Sequence, residues 1–151
     1  MLVLRLSATL RSVRRREPPV SPGTSHASDQ VAATVLVVDD DEVMRDLLSR
    51  MLGRAGYAVQ TAADGRNALE RFREHAIDAV VTDMSMPRMD GVELTRALLN
   101  EYPELPIIAV TGVDDSYLRV AIAAGAKAGM QKPIRPGELA QTMRRLLPRR
   151  P

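Results

Sequence analysis

The 151-residue chain contains no cysteine and no tryptophan, and aromatic residues make up 3% of it. Disulfides and thiolate metal sites are therefore excluded, and the stacking side chains typical of single-stranded nucleic-acid binders are scarce. No apolar run approaches the ~20 residues that a membrane span needs. These absences predict a protein without a membrane partner, and the lack of cysteine is compatible with a cytoplasmic location.

Lysine is nearly absent as well. The 21 basic residues comprise 19 arginines and two lysines, Lys127 and Lys132. A lysine directly before Pro133, in a chain that otherwise uses arginine, indicates a site that needs a compact, mobile point charge rather than a planar guanidinium group. A surface lysine without a special role is the plainer alternative.

The net positive charge lies at the beginning of the chain. Residues 1–33 contain five arginines and two acids, which gives +3, so that residues 34–151 carry −1 of the total of +2. The stretch from Pro18 to Ser28 is rich in Pro, Ser, Gly and Thr, and we expect residues 1–33 to be a disordered basic extension. A transit peptide or a mis-assigned start codon would explain the same composition. The mildly acidic remainder argues against a direct nucleic-acid partner.

From Thr34 onward, short apolar runs alternate with amphipathic stretches. The runs are dominated by Val, Ile and Ala, which predicts buried parallel strands with helices between them. The predicted strands are residues 34–38, 57–61, 78–82, 106–110 and 128–131. Strict alternation of strand and helix predicts an α/β fold: a five-stranded, doubly wound parallel sheet of order 2-1-3-4-5 in a flavodoxin-like three-layer sandwich.

Capping residues indicate where the first and last helices begin and end. Asp41 predicts the N-cap of the first helix, Gly53 and Gly56 lie near its end, and Pro136 is typical of the first turn of the last helix. We expect the apolar stripe of the last helix to face the core rather than a dimer interface; it consists of Leu139, Met143, Leu146 and Leu147.

Four of the five predicted strands end at a polar or charged side chain: Asp39 and Asp40 follow the first strand, Asp83 the third, Thr111 the fourth and Lys132 the fifth. Because the carboxyl ends of parallel strands open onto one crevice, we expect these residues to converge there. Buried carboxylates need a cation, and the three acids form an oxygen cluster suited to Mg²⁺. For each acid alone, a helix cap or a solvated loop is the alternative.

Phosphoryl transfer is a chemistry that such a cluster can perform. A carboxylate such as Asp83 can attack phosphorus, and the rest of the task is positioning and the neutralisation of charge on the phosphoryl oxygens. Lys132 and Mg²⁺ would share that neutralisation. Thr111 offers a hydroxyl donor, although a strand-end threonine bonded to the backbone is an equally good interpretation. The turn at Lys132 and Pro133 is a candidate for a cis bond, which about 5–6% of X-Pro bonds adopt.

Four segments, taken in order, closely resemble the receiver domain of two-component response regulators. They are Val-Leu-Val-Val-Asp-Asp-Asp at 35–41, Thr-Asp-Met-Ser-Met-Pro-Arg-Met-Asp-Gly at 82–91, Ile-Ile-Ala-Val-Thr-Gly at 107–112 and Met-Gln-Lys-Pro-Ile at 130–134. The resemblance covers residues 34–148 and is specific as a set. Since residues 149–151 would be a short tail with no output domain, we expect a stand-alone receiver similar to chemotaxis regulators; a fragment of a longer regulator is the alternative.

The resemblance implies a role for each matching residue. Asp83 would be the phosphoacceptor, taking a phosphoryl group from a phosphohistidine on a sensor histidine kinase or a histidine phosphotransfer protein. Asp39, Asp40, Asp83 and the backbone carbonyl of Ser85 would hold Mg²⁺, while Thr111 and Lys132 bind the phosphoryl oxygens. Such a domain catalyses its own phosphorylation and dephosphorylation rather than conventional turnover. Its downstream protein target would bind the face formed by the fourth helix, fifth strand and fifth helix.

The chain departs from the family pattern near its fourth helix. Gly129 stands where many receivers carry an aromatic residue that switches rotamer with the threonine, and the stretch from Thr111 to Gly125 is one residue shorter than the usual pattern. Ser85 and Val113 occupy positions at which the family controls water access to the phosphoryl group. How the phosphorylation state reaches a partner is therefore open.

Two other functions share parts of this pattern. A receiver-like module that binds partners without phosphorylation would fit the missing aromatic residue, but it would not need all five matching site residues. A metal-dependent hydrolase with an aspartate nucleophile would need a second acid two residues after Asp83, where this chain has Ser85.

Overall fold

The computed structural model describes residues 31–147. Most of the predicted disordered extension at 1–33 and the whole of the predicted tail at 149–151 lie outside these residues. The domain bounds proposed from the sequence therefore stay a prediction. Among the helices of residues 31–147, none is long and apolar enough to cross a membrane.

Five strands alternate with five helices along the described chain. All strands pair in parallel, in the order β2-β1-β3-β4-β5, which confirms the predicted fold class and strand order. The elements are β1 (Thr34–Val38), α1 (Glu42–Arg54), β2 (Ala58–Ala62), α2 (Gly65–Glu74), β3 (Ala79–Asp83), α3 (Gly91–Glu101), β4 (Ile107–Thr111), α4 (Asp115–Ala123), β5 (Ala128–Gln131) and α5 (Pro136–Leu146).

Three strands, β2, β3 and β4, begin and end one residue later than the apolar runs that predicted them. Tyr57 lies in the turn that closes α1, because its amide donates to the Leu52 carbonyl at 3.1 Å. Pro106 has no amide proton to contribute to a ladder. Asp83 and Thr111 are therefore, by these observed limits, the last residues of β3 and β4 rather than the first residues of the loops.

The three central strands, β1, β3 and β4, are buried on both faces, as expected for a parallel sheet between helix layers, whereas the edge strands β2 and β5 are partly exposed. Alternate residues of β1 illustrate this: Val35 and Val37 pack into a cluster with residues of α1 and α5, while Leu36 and Val38 pack with residues of α2 and α3. The stripe of α5 is part of the core, as predicted, since Leu139 and Met143 are fully buried and Leu146 and Leu147 pack against the same cluster.

Helix α1 begins at the predicted cap Asp41 and ends just before the predicted glycine Gly56. The Asp41 side chain accepts a hydrogen bond from the Val43 amide at 3.0 Å. Gly56 has a φ of +96°, and its amide donates to the Gly53 carbonyl at 3.1 Å. Since the Tyr57 amide reaches back to the helix as well, this is a Schellman ending with glycine at the left-handed position. Gly53 itself lies inside the helix.

Gly91, the first residue of α3, allows this helix to approach the end of β3. A methyl group at Gly91 would overlap the carbonyl oxygen of Asp83 and the side chain of Met84. The Gly91 amide also donates to the Met84 carbonyl at 3.1 Å. The loop that follows Asp83 is therefore closed by direct backbone contact.

We expect Gly91→Ala to lower the free energy of unfolding by about 1–3 kcal/mol, because the new methyl group meets backbone that cannot move aside without displacing Asp83. Gly53→Ala is the matched control. Among residues 31–147, nothing lies within 4 Å of a methyl group at Gly53, so helix propensity should make this variant more stable by about 0.5–1 kcal/mol. Urea unfolding of both variants measures the difference, and equal stability of the two would contradict the close approach.

Candidate functional site

The predicted acids do converge at the carboxyl edge of the sheet. Asp39 directly follows β1 and Asp83 ends β3, its neighbour in the sheet. One carboxylate oxygen each from Asp39, Asp40 and Asp83 lies within 4.8 Å of the others. Asp39 and Asp83 are 0% and 5% exposed, whereas Asp40 faces solvent. Two of the three carboxylates are therefore removed from water and need a local positive charge.

Lys132 supplies that charge from the other side of the crevice. It directly follows β5, and its Nζ lies 3.1 Å from Asp39 Oδ2 and 3.5 Å from Asp83 Oδ1. Its amide donates to the Thr111 carbonyl at 2.8 Å, which fixes the backbone from which the side chain reaches in. The Lys132–Pro133 peptide bond is cis. The other lysine, Lys127, is exposed, so the two lysines of the chain differ as the sequence suggested.

Burial and charge act on the titration of the pair in opposite ways. Burial raises the pKa of Asp83, the nearby Asp39 carboxylate raises it further, and Lys132 opposes both without cancelling them. Burial alone would lower the pKa of Lys132, but its hydrogen bond to Asp39 and the charges of Asp83 and Asp39 outweigh burial, so that its pKa is raised. The surroundings therefore favour the charged form of Lys132 and disfavour the charged form of Asp83.

Within residues 31–147, negative charge exceeds positive charge at the cluster. Three carboxylates lie beside the Lys132 ammonium group, and the nearby Arg45 guanidinium contacts the Asp39 carbonyl rather than a carboxylate. A hard divalent cation with oxygen ligands fits both this excess and the donor set. The residues present are thus suited to Mg²⁺, with Asp39, Asp40 and Asp83 as side-chain ligands.

The loop that carries Asp39 and Asp40 is anchored by its own backbone and by α1. The Asp41 amide donates to Asp39 Oδ1 at 2.9 Å, and Arg45 Nη1 donates to the Asp39 carbonyl at 2.8 Å. Sequence reasoning did not identify Arg45. A basic residue one helical turn after the N-cap Asp41 could have indicated it, because such a side chain can reach back over the loop before the helix.

Thr111 is fully buried at the end of β4 and its hydroxyl is held by the following loop. Its Oγ1 accepts a hydrogen bond from the Val113 amide at 3.2 Å. A hydroxyl that accepts a bond in this way can still donate its own proton. The backbone-bonded interpretation of Thr111 is therefore confirmed, while donation of its hydroxyl proton to a ligand stays a prediction.

Ser85 lies in the loop after β3, two residues beyond Asp83, and is exposed. Only the family resemblance supports its backbone carbonyl as a metal ligand. Gly129, on β5, is exposed, and Leu118 of α4 lies beside it: a methyl group at Gly129 would lie 3.1 Å from Leu118 Cδ2. Spacing within the sequence could not reveal this neighbour.

Most of the chain is similar to known proteins. Residues 35–144 match the family model of the response regulator receiver domain. The chain is similar to response regulator MprA of Mycolicibacterium vanbaalenii, with 45% identity over 116 residues, 76% of this chain and 50% of the relative. It is also similar to MprA of Mycobacterium ulcerans, with 42% identity over 120 residues, 79% of this chain and 52% of the relative. The chain spans about half the length of the curated relatives it matches.

Solved structures of response regulators are similar to this chain as well. Chemotaxis protein CheY4 of Vibrio cholerae aligns with a TM-score of 0.72 and 36% identity over 78% of this chain and 100% of that one. A putative response regulator from Chloroflexus aurantiacus aligns with a TM-score of 0.74 and 32% identity over 78% of this chain and 98% of that one.

Without Mg²⁺ at pH 7, we expect Asp83→Asn to unfold at a higher temperature than the wild type. A carboxyl group whose pKa is raised by folding destabilises the fold progressively as the pH rises from its unfolded pKa through its folded pKa, and burial and the Asp39 carboxylate raise the pKa of Asp83. Asparagine removes the repulsion with Asp39, an effect on the order of 1 kcal/mol, while Lys132 keeps Asp39 as its partner.

Asp46→Asn is the control for this change. Asp46 is 59% exposed and pairs with Arg50 on the surface of α1 at 2.9 Å. Loss of that pair should change the free energy of unfolding by less than about 1 kcal/mol. Thermal unfolding followed by circular dichroism, in the presence of a chelator, measures both variants. A lower unfolding temperature for Asp83→Asn would show that the cluster is not under electrostatic strain.

Proposed function

The chain belongs to the response regulator receiver domain family, and we propose on that premise that Asp83 is its phosphoacceptor. The observation that carries the proposal is the position of the Asp83 carboxylate. It ends a central strand, is almost fully buried, lies 3.5 Å from the Lys132 ammonium group and shares its surroundings with two further carboxylates. A nucleophile for phosphorus and the charges needed to receive a phosphoryl group therefore meet at one point.

In the proposed reaction, a carboxylate oxygen of Asp83 attacks the phosphorus of a phosphohistidine on a partner protein. An oxygen–phosphorus bond forms, the nitrogen–phosphorus bond breaks, and its electron pair returns to the imidazole. The partner would be a sensor histidine kinase or a histidine phosphotransfer protein. Positioning and charge neutralisation carry such a transfer, since the bond changes themselves ask little of the protein.

The protein's own groups neutralise part of the charge that the phosphoryl group brings. Lys132 is already within ion-pair distance of Asp83 and stays protonated, so it can contact a phosphoryl oxygen without a large movement. Thr111, on the next strand, can donate its hydroxyl proton to another oxygen. Hydrogen bonds to charged groups are about twice as strong as neutral ones, which favours the phosphorylated form of the site.

Mg²⁺ is proposed as the cofactor, held by Asp39, Asp40 and Asp83, with the Ser85 carbonyl as a further ligand. When bound, it would supply positive charge to the phosphoryl oxygens and relieve the repulsion between the acids. The excess of two negative charges among the carboxylates and Lys132 supports this assignment.

A downstream protein is proposed to bind the face formed by α4, β5 and α5. Large apolar side chains are exposed on α4 and the loop before it, which is typical of a surface that binds another protein. Their exposed fractions are 53% for Val113, 42% for Tyr117, 46% for Val120 and 47% for Ile122. A location in the cytoplasm and the absence of a nucleic-acid contact stay predictions.

A receiver-like module that never becomes phosphorylated is the alternative. It would have no need to keep a strained carboxylate cluster around a lysine, because uncompensated buried charge is costly. The presence of the complete cluster therefore favours the phosphoacceptor function.

We expect the purified protein to gain the mass of one phosphoryl group when it is treated with a small acyl phosphate and Mg²⁺, and to gain none when Mg²⁺ is removed by a chelator. Asp83→Asn should abolish the gain, because an amide is not a nucleophile toward phosphorus. Asp46→Asn, the same change on the surface of α1, should leave it intact. Intact-protein mass spectrometry is the measurement, and full labelling of Asp83→Asn would disprove the assignment.

We expect Asp40→Ala to weaken Mg²⁺ binding by at least about tenfold while leaving the fold intact. Loss of groups that only support a metal ligand already costs about 10–100-fold in affinity, and Asp40 is exposed, so its removal leaves no buried gap. Isothermal titration calorimetry with Mg²⁺ measures the change, with Asp46→Asn as the control. An unchanged affinity would remove Asp40 from the ligand set.

A further inference from the structure

The loop between β4 and α4 is held at one residue from two sides. The Val113 amide donates to Thr111 Oγ1 at 3.2 Å, and the Val113 carbonyl accepts a hydrogen bond from Gln131 Nε2 at 3.1 Å. Both polar groups of this residue are thus tied to side chains on two neighbouring strands. The Val113 N–H belongs to the peptide unit before its Cα and the Val113 carbonyl to the peptide unit after it, so the two bonds hold the backbone on both sides of this residue.

The pairing of the strands explains why Gln131 can reach the loop. Thr111 of β4 and Gln131 of β5 are register partners, as are Ala109 and Gly129 two residues earlier. Because side chains alternate along a strand, Gly129 and Gln131 lie on the same face of β5, the face on which α4 packs. Gly129 offers no side chain there and is exposed beside Leu118. Gln131 is the next residue of β5 on this face, and its side chain holds the loop.

We propose that Gln131 is a positioning residue for the phosphoacceptor site, acting on Thr111 through Val113. The inference rests on the proposed function, in which the Thr111 hydroxyl donates its proton to a phosphoryl oxygen. The bond from the Val113 amide occupies one lone pair of Thr111 Oγ1 and so restricts the direction of the hydroxyl proton. The bond from Gln131 holds the peptide unit that follows Val113, which limits rotation of the Val113 backbone and so favours the contact of the Val113 amide with Thr111.

The size of the effect follows from the hydrogen bond that is lost. Gln131 is exposed, and a neutral hydrogen bond of this kind changes an equilibrium by roughly three- to tenfold. Without the bond from Gln131, the hydrogen bond between the Val113 amide and Thr111 Oγ1 would break more often. The Thr111 hydroxyl would then be less ordered when the phosphoryl group arrives. Gln131→Met keeps the length of the side chain and removes the donor. Gln141→Met, at an exposed position of α5, is the matched control.

The first test uses the unphosphorylated protein. The solvent-exchange rate of the Val113 amide, measured by NMR, should rise by roughly three- to tenfold in Gln131→Met and stay unchanged in Gln141→Met. An unchanged rate at Val113 in Gln131→Met would overturn the proposal, because the two bonds would then be independent.

The second test is a double-mutant cycle on the rate of labelling by a small acyl phosphate at saturating Mg²⁺. Gln131→Met should slow labelling by roughly three- to tenfold in the wild-type background. In a Thr111→Val background, the same change should have an effect of less than about twofold, because the group through which Gln131 acts is gone. A residue that only stabilised the fold would slow labelling equally in both backgrounds, and that result contradicts the proposal.

These measurements separate the inference from the proposed function. If the wild type takes up no phosphoryl group, the phosphoacceptor assignment fails, and the Val113 exchange rate still decides whether Gln131 controls the contact with Thr111. If the wild type is labelled and Gln131→Met is labelled equally fast, only the role of Gln131 is wrong.

Discussion

One partly buried ammonium group sits between two buried carboxylates at the carboxyl edge of the sheet, and the site depends on this contact. Lys132 lies 3.1 Å from Asp39 and 3.5 Å from Asp83 and offsets part of the cost of burying their charge. The three side chains come from residues far apart in sequence. Parallel pairing in the order β2-β1-β3-β4-β5 brings them together, because it places the ends of β1 and β3 side by side and the end of β5 across the crevice.

The same contact leaves the site short of positive charge. Lys132 balances one of three carboxylates, and the raised pKa of Asp83 reports the remaining repulsion and burial. A site of this kind is destabilised when empty and is relieved by a cation, so binding of a divalent metal and stability of the fold are expected to be linked. The excess of negative charge favours binding of a cation before a phosphoryl group is received.

Contacts around the cluster keep its loops in place. Arg45 holds the carbonyl of Asp39, α3 approaches the end of β3 through Gly91, and Gln131 ties Val113 to the edge strand. Each of these contacts involves backbone, which is less free to move than a side chain. The resemblance implies that many receivers carry an aromatic ring at the position of Gly129, three residues before Lys132. In this chain a hydrogen bond from Gln131, one residue before Lys132, holds the loop before α4.

The sequence alone determined the strand order, the helix cap at Asp41, the start of the last helix at Pro136, and the set of acids with Lys132, because hydrophobic periodicity and the polar ends of apolar runs are local properties of the chain. Strand limits were off by one residue at β2, β3 and β4; a hydrogen bond to the preceding helix accounts for β2 and the missing amide proton of Pro106 for β4. Only the tertiary structure decided that Leu118 lies beside Gly129 and that Gln131 reaches Val113. These contacts join residues on separate elements, and their distances depend on how α4 packs against β5, which no spacing within the sequence encodes.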